Sequence, residues 1–281
     1  MVSDVTLLLL THKSKDLVIN FVNNLYKKIN ILIIDNSNDL NLKKKLNQNY
    51  PDVDFYIIEN NGYGNAINFG SKLIKTKYFL ASNPDITGLT FNKILEFVRV
   101  AAILNDEFSV MGPRYLNANP KSYKQSFDND SIAEMRYLSG ACMFFNKKNF
   151  DELGGFDENF FLYFEENDFC KRSKKKYKNY QINNIKLIHN TGTSVKVNNQ
   201  IEKLSQSNFR TWHFIWSKFY YFKKHYSFFF AIVYFIPIII RINFRIILYT
   251  IKHDKEKLSK YKSRKSGLYN SIIGKNAFYR I

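Results

Sequence analysis

Three carboxylates lie within four positions of one another in the segment "FFLYFEENDFCKR": Glu165, Glu166 and Asp168. They directly follow an aromatic-rich run at residues 160–164. Acidic side chains are usually solvated, whereas aromatic side chains are usually buried. A carboxylate held against an apolar wall could act as a general base, which takes up a proton in the transition state. The alternative is a solvated helix start enriched in acids, which explains the charge but not the aromatic flank.

Two other side chains follow short apolar runs and could hold a metal ion. Asp85 stands in "SNPDI", where Pro84 fixes the backbone before it. A single carboxylate on a rigid loop suits a hard divalent cation that bridges phosphates, with water in the remaining positions. His189 in "LIHNTGTS" could provide a neutral imidazole ligand. The alternatives are an ordinary Asn-Pro-Asp turn and a structural histidine.

The segment "NNGYGNAINFG" at residues 60–70 combines three glycines with several asparagines. Glycines at a strand-to-helix turn let backbone N–H groups approach an anion, and the N-terminus of the following helix favours phosphate. The spacing matches neither a Walker loop nor GxGxxG, so a plain turn before a helix explains it equally well.

The elements that position these residues alternate along the first half of the chain. Segments with apolar residues at helical spacing separate short apolar runs at 5–11, 29–35, 53–59, 77–82 and 108–113. Nearly continuous apolar runs of this length are typical of buried strands. The alternation predicts an α/β fold with a mostly parallel central sheet and helices on both faces. Ligands bind at the carboxyl ends of such strands, where these motifs stand.

The order and spacing of these segments resemble the inverting family 2 glycosyltransferases of GT-A fold. The likeness is strongest to the rhamnosyltransferase-like branch that builds bacterial surface polysaccharides. It extends from about residue 4 to residue 194, and "GGFDENFFLYFEENDFCKR" is its most diagnostic segment.

The resemblance implies a role for each matching residue. The donor nucleotide and its sugar would be contacted by Thr11, Asp35, Asn60, Gly62, Gly64, Asn68, Asn83 and Asp85. Asp85 would also meet Mg²⁺ or Mn²⁺, which His189 would help to hold. Gly140 and Ala141 would lie beside the acceptor, which is a glycan or a lipid-linked saccharide.

The resemblance makes Glu166 the expected general base, with Glu165 and Asp168 orienting or binding the acceptor. The family usually has Glu-Asp where this chain has Glu165 and Glu166. Glutamate keeps the carboxylate chemistry but extends its reach by about one methylene. The implied reaction transfers a sugar from dTDP-rhamnose, or alternatively from a UDP-sugar. A GT-A domain that has lost catalysis is another possibility.

The positive charge is concentrated in the last part of the chain. Residues 1–170 contain 18 Lys and Arg against 21 Asp and Glu, a balance of −3, whereas residues 171–281 contain 24 against 3, a balance of +21. This asymmetry indicates either a nucleic-acid surface or the anionic face of a membrane. A nucleic-acid-binding function would leave the near-neutral first half and its strand-end motifs unexplained, so we expect no nucleic-acid partner.

The sequence after residue 205 predicts a basic, aromatic-rich helical region that follows a catalytic domain at residues 1–205. An apolar stretch of 13 residues at 228–240 contains Pro237 and falls short of the ~20 residues needed to span a membrane. With Arg241 and Arg245 it predicts amphipathic helices in the interface of the cytoplasmic leaflet, bound to anionic lipid. The alternatives are a buried helix that packs on the catalytic domain and a span extended to Ile251.

The compartment is predicted from two weaker signals. The two cysteines, Cys142 and Cys170, form no disulfide framework, which is consistent with a reducing compartment. The N-terminal segment has the pattern of a first strand rather than of a signal peptide. We therefore expect a cytoplasmic enzyme attached peripherally to the inner face of the cell membrane.

Overall fold

A computed structural model describes residues 2–119, 121–128, 130–192 and 199–281. Thr193 and Ser194, the last residues of the segment that carries the family resemblance, lie outside the described residues. The described chain divides into two compact units. The first contains residues 1–157 and 166–196, and the second contains residues 158–165 and 197–281.

The first unit alternates strands and helices in its N-terminal half, as predicted. Its elements are β1 (Val2–Thr11), α1 (Lys15–Leu25), β2 (Ile29–Asp35), α2 (Leu40–Asn49), β3 (Asp54–Ile57), α3 (Tyr63–Leu73), β4 (Tyr78–Ser82), β5 (Ile86–Thr87), α4 (Phe91–Ile103), β6 (Phe108–Tyr115), β7 (Ile132–Glu134), β8 (Cys142–Asn146), α5 (Lys147–Glu152), α6 (Glu165–Ser173) and β9 (Lys178–His189). The first residue of α6, Glu165, is assigned to the second unit.

The strands of the described residues form one mixed sheet in the order β3-β2-β1-β4-β8-β6-β9-β5, and β7 also pairs with β9. The first four are parallel to one another, and β6 is parallel to β9. Strand β8 runs antiparallel between β4 and β6. The predicted α/β fold is therefore confirmed, with an antiparallel strand in the middle of the sheet.

Both faces of the sheet are buried, which explains the nearly continuous apolar runs. Alternate residues of β1 enter two different cores. Leu7 and Leu9 pack in the core that contains residues of α1 and α4, whereas Leu8 packs in the core that contains residues of α3. Gly70 of α3 lies so close to the sheet that an added Cβ atom would stand 2.5 Å from Leu8 Cδ1. This glycine of the Gly-Asn segment therefore serves helix–sheet packing.

The second unit is helical. It contains α7 (Gln200–His225), α8 (Phe228–Ile251) and α9 (Lys255–Ile272) together with the segment 158–165. Its main core joins Phe219 of α7, Phe235 and Ile242 of α8, and Leu268 of α9. Residue 205, the predicted end of the catalytic domain, lies inside α7, and the domain boundary stays a prediction.

The aromatic run that precedes the acidic residues packs within the second unit. Phe160 contacts Tyr220 edge to face, with ring centroids 4.9 Å apart. Phe161 stacks on His213 at 4.7 Å, and Ser217 Oγ donates a hydrogen bond to the Leu162 carbonyl. The aromatic rings are therefore the partners of α7.

The prediction of a 13-residue apolar stretch underestimated α8. The helix continues through Pro237 and past Arg241 and Arg245 for 24 residues, so it is long and apolar enough to cross a membrane by length and composition. Pro237 lacks an N–H and therefore removes one hydrogen bond from the interior of the helix, which is unfavourable. Phe235 before it and Ile242 after it are both buried in the core of the second unit.

Candidate active site

The carboxyl ends of the first parallel strands meet at one edge of the sheet. Thr11, the last residue of β1, pairs in register with Asp35, the last residue of β2, which in turn pairs with Ile57 at the end of β3. The Thr11 side chain is buried, and its hydroxyl has no hydrogen-bond partner among the described residues. A buried polar atom without a partner is costly, so this hydroxyl is well suited to contact a ligand.

Asp35 shapes the loop that follows β2. Its Oδ1 accepts a hydrogen bond from Ser37 Oγ at 2.6 Å, and its Oδ2 accepts one from the Asp39 N–H at 2.8 Å. The residue is fully buried. Both carboxylate oxygens are thus engaged by the loop itself, which fixes the direction in which the next residues leave the sheet.

A polar chain that the sequence analysis missed links this loop to the Gly-Asn segment. His12 Nδ1 lies 2.9 Å from Asn36 Oδ1, and Asn36 Nδ2 donates to Asn60 Oδ1 at 3.2 Å. Asn60 Oδ1 also accepts from the Gly62 N–H at 3.4 Å. His12 directly follows Thr11, and Asn36 directly follows Asp35, both of which were predicted to contact the nucleotide. This position next to a strand end was the signal from which the two residues could have been found.

The Gly-Asn segment starts α3 at the same edge of the sheet. Gly62 caps the helix with φ at +104°, a conformation that residues with a Cβ atom rarely adopt. The N-terminus of α3, which includes Gly64, therefore offers backbone N–H groups and a positive helix dipole at the predicted nucleotide site.

Asn68 lies further along α3 and binds protein backbone. Its Nδ2 donates to the Phe156 carbonyl, and its Oδ1 accepts from the Phe156 N–H, both at 2.9 Å. Position 155, directly before Phe156, requires glycine. An added Cβ atom there would stand 2.5 Å from Asn68 Oδ1, and the φ of Gly155 is +66°. Asn68 thus anchors the segment that leads towards α6.

The two predicted metal ligands lie side by side. The short strand β5 pairs with the end of β9 so that Ile86 stands opposite His189. This brings His189 Nε2 to 3.4 Å from Asp85 Oδ1, and the Asp85 side chain is almost fully buried. The Asn190 N–H also donates to the Asp85 carbonyl at 3.1 Å.

This pair fits a divalent ion that takes its other ligands from substrate. Among the residues that the structure describes, no group of three or more His, Cys, Asp or Glu side chains could hold an ion by itself. Mg²⁺ sites, however, are often built from one or two carboxylates together with phosphate oxygens and water. The Asp85 carboxylate is a suitable ligand for Mg²⁺ or Mn²⁺ at a diphosphate, whereas the His189 imidazole is a donor more usual with other transition metals.

Gly140 and Ala141 join the separate parts of the site. The Asn83 N–H donates to the Ala141 carbonyl at 2.9 Å, which ties the Asp85 loop to the start of β8. The Tyr63 hydroxyl donates to the Gly140 carbonyl at 2.6 Å, which ties in the start of α3. Glu166 of α6 also contacts Gly140.

Glu166 packs directly over Gly140. An added Cβ atom at that glycine would lie 3.6 Å from Cβ and Cγ of the glutamate, which is ordinary van der Waals contact. The Glu166 side chain is 7% exposed, and its Oε1 forms an ion pair with Lys124 Nζ. Its Oε2 is buried and has no hydrogen-bond partner within the described part of the chain.

The other two acids of α6 differ from Glu166. Asp168 is fully buried, and its Oδ2 accepts from Arg172 Nε at 2.8 Å. Arg172 also donates to the carbonyls of Leu153 and Gly155, so this pair holds the turn before the aromatic run. Glu165 is buried at the first position of α6. The geometry thus distinguishes Glu166 as the acid that lies against the predicted acceptor segment.

The two cysteines near the site are neutral thiols. Burial raises the pKa of Cys142, which directly follows Ala141, to about 12. Burial also raises the pKa of Cys170 on α6 to about 12. A thiolate is the nucleophilic form of cysteine, so neither residue is suited to form a covalent intermediate at neutral pH.

Comparison with known proteins confirms the predicted GT-A-like fold. The structure superposes on the mannosyltransferase PcManGT from Pyrobaculum calidifontis, solved in complex with GDP-Man and Mn²⁺, with a TM-score of 0.57 and 12% identity over 95% of this chain and 86% of the other. It superposes on residues 1–349 of S. aureus TarS in complex with UDP-GlcNAc with a TM-score of 0.54 and 11% identity over 99% and 93%. At these identities the likeness shows a shared fold.

The sequence itself is similar to one characterised protein. It is 23% identical over 218 residues to the low-salt glycan biosynthesis hexosyltransferase Agl10 of Haloferax volcanii, a match that covers 68% of each chain. No model of a protein family matches the chain.

Proposed function

We propose that the chain is an inverting glycosyltransferase of family 2 that moves a sugar from a nucleotide-sugar donor to a saccharide acceptor. One observation carries this proposal: Glu166, buried and ion-paired, packs on Gly140, and its Oε2 has no hydrogen-bond partner among the described residues. The fold and the likeness to a hexosyltransferase support the class of reaction.

Glu166 is the general base of this reaction. Its Oε2 accepts the proton of the acceptor hydroxyl while the acceptor oxygen forms a bond to the anomeric carbon. The bond between that carbon and the diphosphate oxygen breaks at the same time, so the configuration is inverted and a nucleoside diphosphate leaves. Glu166 then returns its proton to water. A single displacement needs no protein nucleophile, which agrees with the neutral state of Cys142.

Asp85 and His189 would hold Mg²⁺ or Mn²⁺ at the diphosphate. When bound, the ion supplies positive charge that stabilises the departing diphosphate. The support is the contact between the two side chains and the burial of Asp85. PcManGT, which shares the fold, was solved with Mn²⁺.

The nucleotide site is proposed at the carboxyl ends of β1 to β4. Thr11 and the N-terminus of α3 offer a hydroxyl and backbone N–H groups to the donor. Gly62 caps that helix in a conformation that favours glycine, and Asn83 stands beside the Asp85 loop. Asp35, Asn60 and Asn68 act by fixing the loops around them, because their side chains bind neighbouring protein groups. From the family resemblance we favour dTDP-rhamnose as donor, with a UDP-sugar as the alternative.

A thermal-shift panel tests the donor proposal. We expect dTDP, or else UDP, to raise the unfolding temperature more than GDP does, and to do so more strongly with Mn²⁺, because a ligand that binds only the folded state stabilises it. If no nucleoside diphosphate raises the unfolding temperature with or without Mn²⁺, the chain does not bind such a donor.

We further propose that the protein attaches peripherally to the inner face of the cell membrane, where a lipid-linked acceptor would be available. One face of α8 is packed in the core of the second unit through Ala231, Phe235 and Ile242. The opposite face exposes an apolar stripe that repeats every three or four residues along the whole helix: Phe229, Val233, Ile236, Ile240, Phe244, Ile247 and Ile251. Lys223 and Lys224 precede this helix, and Lys252 follows it.

The packing of α8 favours a helix that lies in the plane of the interface. The packed face of α8 contacts α7 and the lysine-rich α9. If α8 crossed the bilayer with this packing intact, parts of α7 and α9 would also have to enter the bilayer. Charged residues at the centre of a bilayer are costly. An in-plane position instead buries the apolar stripe in the lipid while the lysines meet anionic headgroups.

A further inference from the structure

Lys124 is a half-buried lysine to which neither the motifs nor the fold gave a role. Its side chain is 25% exposed and forms an ion pair with Glu166, which stands 42 residues later in the chain. It lies in the segment 121–128 between β6 and β7, which we call the arm. Lysines are seldom buried unless they are paired, so this position needs a reason.

The arm is fixed to the sheet directly after Lys124. Gln125 is buried, and its amide accepts from the Tyr115 N–H at 2.6 Å and donates to the Tyr115 carbonyl at 3.0 Å. The Gln181 amide makes the same two contacts with the backbone of Ser126, at 3.0 and 2.9 Å. Lys124 is therefore held by β6 and β9 and is not a loose surface side chain.

The arm also touches α6 beside Glu166. The hydroxyl of Tyr123 accepts a hydrogen bond from Asn167 Nδ2 at 3.3 Å, and its ring packs edge to face on Tyr137 at 5.7 Å. The residues on both sides of Lys124 thus have defined partners. The lysine is directed at the carboxylate by the arm as a whole.

We propose that Lys124 is the positioning residue for the catalytic base: it holds Oε1 of Glu166 so that Oε2 faces the acceptor hydroxyl. This inference rests on the proposed function. Removal of one partner from a buried ion pair leaves the other charge uncompensated, so without Lys124 the Glu166 side chain is no longer held in this position.

The other charged groups near Glu166 do not take over this role. Asp168 is engaged by Arg172, and Cys170 stays a neutral thiol because burial raises its pKa to about 12. Glu165 precedes Glu166 in the chain and has the same charge. Among the described residues, Lys124 is the cation in ion-pair contact with Glu166.

Lys124→Met and Lys124→Arg test the proposal by steady-state sugar transfer. We expect Lys124→Met to lower kcat by about 10-fold or more with little change in the KM for donor. Lys124→Arg should restore most of the activity.

Lys147→Met is the matched control. Lys147 is also a mostly buried lysine, 17% exposed, and its ion pair with Asp151 lies outside the site. It should keep the kcat and the KM for donor of the unaltered protein. A normal kcat in Lys124→Met would overturn the proposal, and so would a loss of activity that Lys124→Arg fails to restore.

A double-substitution cycle keeps the test independent of folding effects. In a Glu166→Gln background, Lys124→Met should cause no further loss of transfer, because the group on which Lys124 acts is already absent. An equal loss in both backgrounds would show that Lys124 acts elsewhere. If Glu166→Gln alone keeps normal transfer, the proposed base is wrong, and that result is distinct from a failure of Lys124.

Discussion

At the scale of single residues, Asp85 is the side chain on which the proposed metal site depends most. It is almost fully buried and contacts His189. We expect Asp85→Ala to abolish the additional stabilisation that Mn²⁺ gives in the presence of a nucleoside diphosphate, because it removes the carboxylate that meets the ion. Thermal shift with and without Mn²⁺ measures this. Asp52→Ala, which removes a surface acid that binds the Tyr26 hydroxyl, is the control. An unchanged Mn²⁺ effect in Asp85→Ala would place the metal elsewhere.

His213 makes the stability of the second unit depend on pH. Burial lowers the pKa of His213 from its ordinary 6.5 to about 4, while its Nε2 donates to the Tyr279 carbonyl at 2.8 Å. The unfolded chain therefore binds a proton at this histidine below about pH 6.5, whereas the folded chain binds it only below about pH 4. Above pH 6.5 this group has no effect on the free energy of unfolding. Between pH 6.5 and 4 it lowers the free energy of unfolding by up to about 3 kcal/mol.

Thermal unfolding of His213→Phe between pH 4 and 7.5 checks this prediction. The ring keeps its place beside Phe161 but no longer titrates, so the decline below pH 6.5 should be much smaller than in the unaltered protein. His253→Asn, at an exposed position, should leave the decline unchanged. An equal decline in His213→Phe would assign the pH dependence to other groups.

The sequence indicated which side chains could take part in chemistry, but in most cases it did not indicate which groups they contact. The nearness of Asp85 and His189 was expected from the family resemblance, which assigns both to one metal site; in the structure the pairing of β5 with β9 brings them together. The pairings of Asp168 with Arg172 and of Asn68 with Phe156 could not, because a buried acid or amide looks the same in sequence whether it binds protein or substrate. Lys124 had no signal at all, since an ion pair across 42 residues depends on how the arm is anchored.

At the scale of elements, Asn68 connects α3 to the segment before α6. We expect Asn68→Ala to lower the free energy of unfolding by about 2 kcal/mol or more, because it leaves the buried N–H and carbonyl of Phe156 without their partners. Nucleotide affinity, measured well below the unfolding temperature, should change little. Asn49→Ala, at an exposed asparagine of α2, is the control. A normal stability with a large loss of nucleotide affinity would return Asn68 to the nucleotide site.

The order of elements was predictable where apolar runs are short and bounded, as in β1 to β4. Strand β8 was not predicted, because its apolar run carries no mark of an antiparallel position between β4 and β6. The length of α8 was also missed. Pro237 and two arginines interrupt its apolar run, and the packing of Phe235 and Ile242 that continues the helix is tertiary.

At the scale of the whole molecule, the charge asymmetry and the α8 stripe predict binding to anionic membranes. We expect the full chain to float with vesicles that contain anionic lipid and less with neutral vesicles. Moderate salt should weaken the binding but not abolish it, because lysine–headgroup attraction is screened whereas apolar insertion is not. The double variant Ile240→Ser, Phe244→Ser should bind weakly. Ile103→Ser, at an exposed apolar residue of α4, should bind normally.

Labelling of single cysteines separates an in-plane helix from a spanning one. Tyr226→Cys and Lys252→Cys place thiols just outside the two ends of α8, while the native Cys142 and Cys170 are buried. An impermeant maleimide added outside protein-bearing vesicles should label both ends if α8 lies in the plane. Labelling of one end alone would show that the helix crosses the bilayer, and absence of vesicle binding would remove the membrane proposal.

Glu166 is the residue on which the proposed reaction depends, and sugar transfer by Glu166→Gln tests its role. The variant keeps the shape of the side chain but cannot accept the proton of the acceptor hydroxyl. With the preferred donor and a saccharide acceptor, we predict normal donor binding and a transfer rate lower by ~10²-fold or more. Asp168→Asn, assayed in parallel, should lose stability rather than the chemical step. Near-normal transfer by Glu166→Gln would show that Glu166 is not the general base and would move that role to another residue.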